Sequence, residues 1–509
     1  MDFTGFRKSL EEAFGKEKAG VILAALENPA STSIRLNPLK KTSGTVPDAT
    51  TALYGEAGKG CNAVPWCREG RILGGRPSFT LDPEFHAGAY YVQDSSSMFV
   101  GWMFRRILEQ SDCGSGVLKV LDLCAAPGGK TTDIAAALRE VCGDRFLLVS
   151  NEVMTGRSRI LADNTARWGE PNVMVSSSDP SSFANLKDCF DIIITDVPCS
   201  GEGMFRKDDE AVRQWSEENV ELCCARQKRI LADVWPALKP SGYLLYSTCT
   251  FNRKENDGNV EWAAQELGAD VLTVEADFSE ILRTAYGYSL APGYAPGEGQ
   301  YCAALRKKSG AETARLQREN GSSGMPASDG NQRKNRIECR DTGNKRKNPR
   351  QLENSKGSQV SCLAILKNAF TFDASVREKN GSLIAVPSIL VPELQTLSSA
   401  IRLICSGVTC GSLKRDKLVP DEDLVLCAML RSDALPTVET DRQTALSYLH
   451  RDSIVLQKEA ERGYVSLSYN GLRFGVVNNL GNRCNNLHPL SRRILMDIDS
   501  GTKQNQVPE

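Results

Sequence analysis

Between residues 116 and 306, short apolar runs alternate with segments in which apolar residues recur at helical spacing. The runs predict strands and the periodic segments predict helices, an order typical of a mainly parallel sheet covered on both faces. The predicted strands are LKVLDL (118–123), RFLLVSNE (145–152), NVMVSSSD (172–179), FDIIITDV (190–197) and GYLLYSTCT (242–250). The predicted helices are TTDIAAALREV (131–141), RSRILADNTARWG (157–169) and ARQKRILADVWPALKP (225–240), the last stopped by Pro240.

The two ends of the chain have a weaker pattern. Residues 1–115 mix helix and loop, and their ordered-looking parts are SIRLNP (33–38) and AYYVQDSSSMFVGWMFRRIL (89–108). The C-terminal part predicts a smaller α/β or β-rich unit that ends in short strands such as GYVSLSYNG (463–471). A chain of 509 residues is too long for one hydrophobic core, so we expect two or three domains.

Residues 307–358 form a segment of a different composition, with no aromatic residue and few large aliphatic ones. Residues 306–356 hold 14 Lys and Arg against 6 Asp and Glu, although the whole chain has a net charge of −1. Such a segment cannot bury enough apolar surface to order itself, so we interpret it as a flexible basic linker. Two roles stay open for it: a tether that attracts a polyanion, or a solvated spacer.

Composition excludes several classes of protein. The longest apolar runs have the length of strands, far below the roughly 20 residues of a membrane helix, and the N-terminus lacks an apolar signal-peptide core. The cytoplasm is therefore the expected location. The 17 cysteines are too sparse for a disulfide scaffold, and neither they nor the 3 histidines have the spacing of a zinc site, so we expect no metal.

A turn of small residues, CAAPGGKTT (124–132), follows the first predicted strand and precedes a helix. Small residues let a ligand approach the backbone, and a helix N-terminus attracts negative charge. The next two predicted strands end in Glu152 and Asp179, which suit the ribose hydroxyls and the adenine amino group of a nucleotide-like ligand. Taken singly, either carboxylate could instead be a helix cap.

Two cysteines follow the fourth and fifth predicted strands, Cys199 in DVPCSG and Cys249 in STCTF. Those strands should be neighbours, which would place both thiols in one pocket beside the proposed ligand. A cysteine held as thiolate is a suitable nucleophile for an aromatic ring carbon. Either cysteine alone would more readily be read as a buried, inert thiol, but their paired placement favours chemistry.

The motifs CAAPGGKT, TDVPCSGEG and YSTCTF resemble those of the Nol1/Nop2/Sun family of RNA 5-methylcytosine methyltransferases. The resemblance extends over about residues 90–306. The segments SIRLNP and LGNRCNNLHPLSRRI (480–494) are similar to the two ends of the bacterial RsmF-like subgroup, which methylates 16S ribosomal RNA and carries a PUA-like domain. The resemblance implies a Rossmann-like class I α/β methyltransferase sheet with a small N-terminal domain and a C-terminal PUA-like domain.

The resemblance also implies residue roles. Cys249 is expected to attack carbon 6 of cytosine, and Cys199 to assist the breakdown of the covalent adduct. Asp196 is expected to bind the cytosine edge. The residue pattern alone leaves the order of the two thiols open, because DNA cytosine methyltransferases use the Pro-Cys thiol. The implied S-adenosylmethionine shell consists of Cys124, Ala125, Ala126, Pro127, Gly128, Gly129, Lys130, Glu152, Asp179 and Asp196.

The expected domains are an N-terminal RNA-binding domain (1–88), a catalytic domain (89–306), the linker (307–358) and a PUA-like RNA-binding domain (359–500). APGYAPGEGQYCAAL (291–305) departs from the family, because it lacks the His and the Phe-Phe that usually flank its GEG. We expect a monomer whose partner is RNA, and the resemblance favours small-subunit ribosomal RNA. The alternatives are a transfer RNA, DNA or small-molecule methyltransferase on the same sheet, and a non-catalytic RNA-binding assembly factor.

Overall fold

The computed structural model describes residues 4–40, 62–111, 116–309, 363–414 and 417–498. All but the first three residues of the predicted linker lie outside these ranges. No helix among the described residues is both long and apolar enough to cross a membrane.

The N-terminal part contains two antiparallel helices and a four-stranded sheet of order β2-β3-β1-β4. Its elements are α1 (Thr4–Phe14), α2 (Lys16–Leu26), β1 (Thr32–Leu36), β2 (Asn62–Val64), β3 (Cys67–Leu73), α3 (Pro83–Ala87), β4 (Tyr90–Val92) and α4 (Met98–Gln110). One face of α4 buries Phe99, Met103 and Phe104 against the central sheet. The predicted segment 89–108 is thus a short strand followed by a helix.

The central sheet has ten strands, in the order β11-β12-β13-β9-β8-β5-β6-β7-β16, with β10 also paired to β13. Its strands up to residue 307 are β5 (Leu118–Asp122), β6 (Phe146–Asn151), β7 (Val173–Ser176), β8 (Phe190–Asp196), β9 (Leu238–Thr248), β10 (Ala269–Leu272), β11 (Leu282–Arg283), β12 (Tyr288–Leu290) and β13 (Gln300–Lys307). Strands β5 to β9 pair with one another in parallel. Strands β10 to β13 each pair antiparallel with their neighbours in the sheet.

Helices cover both faces of this sheet, which explains the continuous apolar runs of its strands: Ile192, Ile193 and Ile194 have no exposed surface. The covering helices are α4, α5 (Gly129–Cys142), α6 (Thr155–Trp168), α8 (Glu217–Val234) and α9 (Asp257–Glu266). Helix α7 (Asp209–Gln214) buries none of its residues. The predicted α/β fold class is confirmed.

Two predicted boundaries are wrong. The helix expected to run to Pro240 ends at Val234, a 3₁₀ turn containing Pro236 follows, and Pro240 lies inside β9. Proline without an N–H cannot continue a helix, so the earlier proline ends it. The strand expected to reach Asp179 ends at Ser176. Asp179 instead begins a 3₁₀ helix, where its side chain accepts a hydrogen bond from the Ser181 N–H.

The chain beyond the linker forms two further four-stranded sheets, β14-β15-β17-β18 and β19-β20-β21-β22. Their elements are β14 (Ala374–Lys379), β15 (Ser382–Pro387), α10 (Val391–Ala400), β16 (Leu403–Cys405), β17 (Val408–Lys414), β18 (Lys417–Pro420), α11 (Glu422–Leu426), β19 (Thr437–Glu439), α12 (Arg442–His450), β20 (Gly463–Tyr469), β21 (Leu472–Asn479) and β22 (Cys484–Asn486). Strand β16 leaves this group and pairs with β7 at the edge of the central sheet.

Candidate active site

The two candidate thiols lie together at the carboxyl ends of two neighbouring strands. Strands β8 and β9 are parallel, and Asp196 pairs in register with Ser247. Cys199 follows the first strand and Cys249 the second, and their Sγ atoms lie 3.1 Å apart. This separation is a contact between free thiols, since a disulfide bond is about 2.05 Å long. The sequence-based expectation that the two thiols lie side by side is confirmed.

Asp196 lies at the end of β8, surrounded by hydrogen-bond donors. Its carboxylate accepts from Lys130 Nζ at 2.8 Å, Ser247 Oγ at 2.9 Å and Gln300 Nε2 at 3.3 Å. Burial alone would lower the pKa of Lys130, but the charge and hydrogen bond of Asp196 outweigh it, and the pKa is raised. Lys130 therefore stays a cation beside the thiols, and Asp196 is held by positive charge and by neutral donors on different sides.

The small-residue turn joins β5 to α5. Gly128 has φ of 113°, a left-handed conformation that a side chain would strain, and its carbonyl accepts the first helical hydrogen bond, from Thr132 N. The backbone amides of the first helical turn consequently lack acceptors within the helix. Pro127 O is held by Tyr91 Oη at 3.0 Å and Asn164 Nδ2 at 2.7 Å. The turn is thus a supported backbone cradle with unpaired donors.

The two predicted carboxylates of the ligand shell differ in their surroundings. Glu152 follows β6 and is buried, accepting from Met154 N at 2.9 Å and pairing with Arg157 at 3.3 Å. Asp179 is exposed, and one of its oxygens accepts from both the N–H and the hydroxyl of Ser181. Asp179 caps the 3₁₀ helix that follows it, and Glu152 accepts from the backbone of the residue that precedes α6. Their roles toward a ligand stay predictions.

Several residues near the thiols were missed by the sequence analysis. Gln300 stands at the first position of β13, within the segment that departs from the family pattern, and its Nε2 reaches both Asp196 and Thr248 O. Behind the thiols, Glu202 and Glu255 are fully buried carboxylates. Both lie close to the cysteine motifs, since Glu202 belongs to PCSGEG and Glu255 lies four residues after TCTF. A sequence alone cannot distinguish buried acids from surface acids.

A rim of charge borders the pocket on its other side. Arg206 Nε donates to Glu298 at 2.6 Å, and Lys207 Nζ donates to Asp94 at 3.2 Å. Asp94 also accepts from the Glu298 N–H. These contacts join the PCSGEG segment, the late GEG and the end of the N-terminal part into one wall.

Three family models match successive parts of the chain. Residues 4–95 match the N-terminal domain of 16S rRNA methyltransferase RsmF, residues 115–306 match 16S rRNA methyltransferase RsmB/F, and residues 435–494 match the RsmF methyltransferase PUA domain. The chain therefore carries an RsmF N-terminal domain, an RsmB/F methyltransferase domain and an RsmF PUA domain. The family predicted from the motifs is thereby confirmed, and the sheet with its two thiols is the methyltransferase domain of this family.

Curated relatives and a solved structure agree with this family. Ribosomal RNA small subunit methyltransferase F of Cronobacter sakazakii is 35% identical over 301 residues, which cover 57% of this chain and 60% of the relative. The protein of the same name from Aeromonas salmonicida is 37% identical over 296 residues, covering 56% and 59%. The aligned part of the chain thus spans about three fifths of these relatives. A solved structure described as PH0851 shares the fold, with a TM-score of 0.51, 21% identity, and coverage of 59% and 65%.

Proposed function

We propose that this chain transfers a methyl group from S-adenosylmethionine to carbon 5 of a cytosine in RNA, with 16S ribosomal RNA as the substrate. The observation that carries the proposal is the pair of thiols 3.1 Å apart beside the Lys130–Asp196 ion pair. Carbon 5 of cytosine is a poor nucleophile, and addition of a thiolate at carbon 6 makes it electron-rich. A pocket with two cysteines and a fixed carboxylate suits this chemistry.

The charges around the pair favour Cys249 as the nucleophile. Lys130 faces Cys249, whose negative charge would contribute to the raised pKa of this lysine. Cys199 faces the Glu255 carboxylate: its hydrogen bond with Cys249, burial and the charges of Cys249 and Glu255 all raise the pKa of the Cys199 thiol. A thiolate is therefore opposed at Cys199, which leaves Cys249 as the proposed nucleophile. Cys199 then assists breakdown of the adduct from beside the reacting carbons.

The cofactor fits the residues that surround the turn. Unpaired amides of the first turn of α5 and the left-handed Gly128 provide a backbone cradle, and the buried Glu152 lies at the end of the next strand. Bound S-adenosylmethionine supplies an electrophilic methyl group on sulfur. The residues proposed to hold it are those of 124–130 together with Glu152, Asp179 and Asp196. Asp196 also accepts from the amino edge of an unstacked cytosine.

The substrate assignment comes from the relatives, whose name specifies small-subunit ribosomal RNA, and from the PUA match. We extend it to a monomer that acts in the cytoplasm without a metal ion. RNA-binding roles of the N-terminal and PUA domains, with the boundaries given above, are part of the same proposal.

The test incubates the wild-type chain and the Cys249→Ala, Cys199→Ala and Cys189→Ala variants with tritiated S-adenosylmethionine and unmodified 16S ribosomal RNA. Cys189 is a free thiol at the other end of β8 and serves as the control. We expect Cys249→Ala to lose both methyl transfer and the protein–RNA adduct, and Cys199→Ala to accumulate the adduct on a denaturing gel. Exchanged behaviour would assign the nucleophile to Cys199, and a wild-type chain that labels no RNA would favour a binding factor.

A further inference from the structure

Two buried carboxylates lie behind the thiols and belong to opposite loops. Glu202 is three residues after Cys199, and Glu255 is six residues after Cys249. Both have 0% exposed surface. Taking two ionisable groups out of water costs several kcal/mol each, roughly, so their burial beside a reacting pair calls for strong compensating contacts.

Each carboxylate holds the backbone of the other cysteine's loop. Glu202 accepts from the N–H groups of Phe251 at 2.7 Å and Asn252 at 3.1 Å. Glu255 accepts from the Ser200 N–H at 3.1 Å, directly after Cys199. Asn252 lies between them and donates to Glu202 at 3.2 Å and Glu255 at 2.7 Å. We call Glu202, Asn252 and Glu255 the carboxylate clamp.

The clamp fixes the distance between the thiols. The two loops are joined by its crossed hydrogen bonds, and Ser200 Oγ and Thr250 Oγ1, one residue beyond each cysteine, are also within 3.0 Å of each other. The clamp residues behind the cysteines, and not the thiols themselves, therefore set the 3.1 Å distance between the two Sγ atoms.

The two carboxylates differ in what they do beyond this. Besides Ser200 N and Asn252 Nδ2, Glu255 accepts from Gln227 Nε2 at 2.6 Å, so its partners are N–H donors that stabilise a carboxylate. Burial raises the pKa of Glu255, and these donors oppose that rise. The N–H that Glu255 accepts from Ser200 lies directly after Cys199, whereas the backbone N–H groups that Glu202 accepts belong to the loop of Cys249. The hydrogen bond with Cys249, burial and the charge of Cys249 raise the pKa of the Cys199 thiol most, and the charge of Glu255 adds to this rise. The other titratable groups around the pair are Lys130, Cys223 and Tyr246.

We propose that Glu255 is a positioning residue that keeps the proton on Cys199 and thereby makes Cys249 the thiol that attacks. The inference rests on the proposed function and deepens it. In the attack, the Cys249 thiolate forms the bond to carbon 6 and the electron pair of the carbon 5–carbon 6 double bond moves into the ring. Cys199 keeps its proton through this step. Glu202 holds the same two loops but does not determine the protonation of Cys199.

The test measures alkylation by iodoacetamide, in which a thiolate displaces iodide, in the absence of RNA and cofactor. Peptide mass spectrometry reports Cys199 and Cys249 separately across pH 6–10. In the wild-type chain we expect Cys249 to react at least about tenfold faster than Cys199 at neutral pH, which corresponds to one unit of pKa difference. Equal rates, or a faster Cys199, would overturn the proposal without any variant.

The decisive pair of variants is Glu255→Gln and Glu202→Gln, each also made with Cys249→Ser so that Cys199 titrates alone. We expect Glu255→Gln to lower the midpoint of Cys199 alkylation by about one pH unit or more, and Glu202→Gln to leave it in place. Equal shifts in both variants would reduce Glu255 to a structural role. Thermal unfolding of each variant separates misfolding from loss of charge.

Methyl transfer gives a second readout. In the chain with both cysteines, Glu255→Gln should lower kcat and leave the KM for S-adenosylmethionine unchanged, and Glu255→Asp, which keeps the charge, should recover part of kcat. Because alkylation needs no RNA, a chain that fails to methylate would overturn the proposed function, whereas an unchanged Cys199 profile would overturn only the role of Glu255.

Discussion

At the scale of single residues, the Arg35 guanidinium joins the N-terminal part to the cofactor turn. It donates to Gln93 Oε1 at 2.8 Å and to Gly129 O at 3.1 Å, and it stacks on the Trp168 ring at 4.6 Å. Its side chain is 1% exposed, as is that of Asp133, 3.8 Å away. The SIRLNP segment thus has a physical role, because its arginine holds α5.

Replacing Arg35 by Met should lower the free energy of unfolding by about 3–5 kcal/mol, because it leaves buried acceptors without their charged partner. Arg68→Met is the control, since that side chain is 77% exposed. Urea denaturation followed by tryptophan fluorescence measures both. Equal midpoints for the two variants would contradict the role assigned to Arg35.

Asp122 is a second buried charge, at the end of β5. Burial raises its pKa to about 7, against the hydrogen bond from Thr131. A raised carboxyl pKa stabilises the fold while the group is protonated, and this contribution is lost as pH rises from about 4 through about 7. The melting temperature of wild type should therefore fall more between pH 5.5 and 8 than that of Asp122→Asn. Identical pH dependence in the two proteins would contradict the raised pKa.

The sequence predicted some of the contacts between single residues and missed others. Cys199 and Cys249 could be placed together, because the fourth and fifth strands of a sheet with this winding, here β8 and β9, are neighbours. Gln300 could not, because it reaches Asp196 through a strand added antiparallel to the sheet about fifty residues after Cys249. The ion pair of Lys130 with Asp196 was not predicted either, because the sequence assigned both residues to the ligand shell and Asp196 also to the cytosine edge, without pairing them.

At the scale of elements, the 3₁₀ turn Glu202–Met204 packs against the loop that contains Cys249. The Gly203 N–H donates to Cys249 O at 2.7 Å, and a Cβ on Gly203 would lie 2.7 Å from that same oxygen. No flexible side chain can yield there, because the obstacle is backbone. The turn therefore requires glycine for close approach.

Gly203→Ala should displace the Cys249 loop and reduce methyl transfer by about a hundredfold, the loss typical of a misplaced reacting group. Gly156→Ala, in α6, is the matched control because its Cβ would meet nothing within 4 Å. Single-turnover transfer of tritiated methyl, with circular dichroism as the check on folding, compares the two. Full activity in Gly203→Ala would show that the loop tolerates the shift.

Element prediction succeeded where the apolar pattern was long. The run at 190–197 became β8 because continuous burial on both faces needs continuous apolar residues. Strand β16 carries no such signal, since three residues cannot display a period. The strand that was expected to reach Asp179 ends at Ser176, and Ser177 and Ser178 follow it, so a local cap was the better interpretation of Asp179.

At the scale of the whole molecule, Arg492 joins the PUA domain to the catalytic one. It lies in the HPLSRR segment and contacts Asp163 on α6 at 2.9 Å, Asp423 at 2.8 Å and Glu422 at 3.2 Å. Glu422 also accepts from His488 at 2.6 Å. The sequence showed the motif but not its partners, which lie up to 329 positions away.

Arg492→Met should loosen this junction, because three carboxylates would lose the cation that neutralises them. Trypsin should then cleave within α6, which carries Asp163, several times faster than in Arg493→Met, whose parent side chain is exposed and one position away. Equal cleavage rates in the two variants would show that the apolar contacts hold the domains without Arg492.

The pairing of β16 with β7 ties the catalytic sheet to the order in which the chain is made. Strand β7 leaves the ribosome long before β16 does, so the nascent sheet waits with one edge open, and an open edge is a template for pairing with other chains. A gene shortened to end at residue 309 would encode both thiols, the cofactor turn and the carboxylate clamp, yet its product would be prone to aggregate. The catalytic unit is therefore larger than the stretch of chain that contains its chemistry.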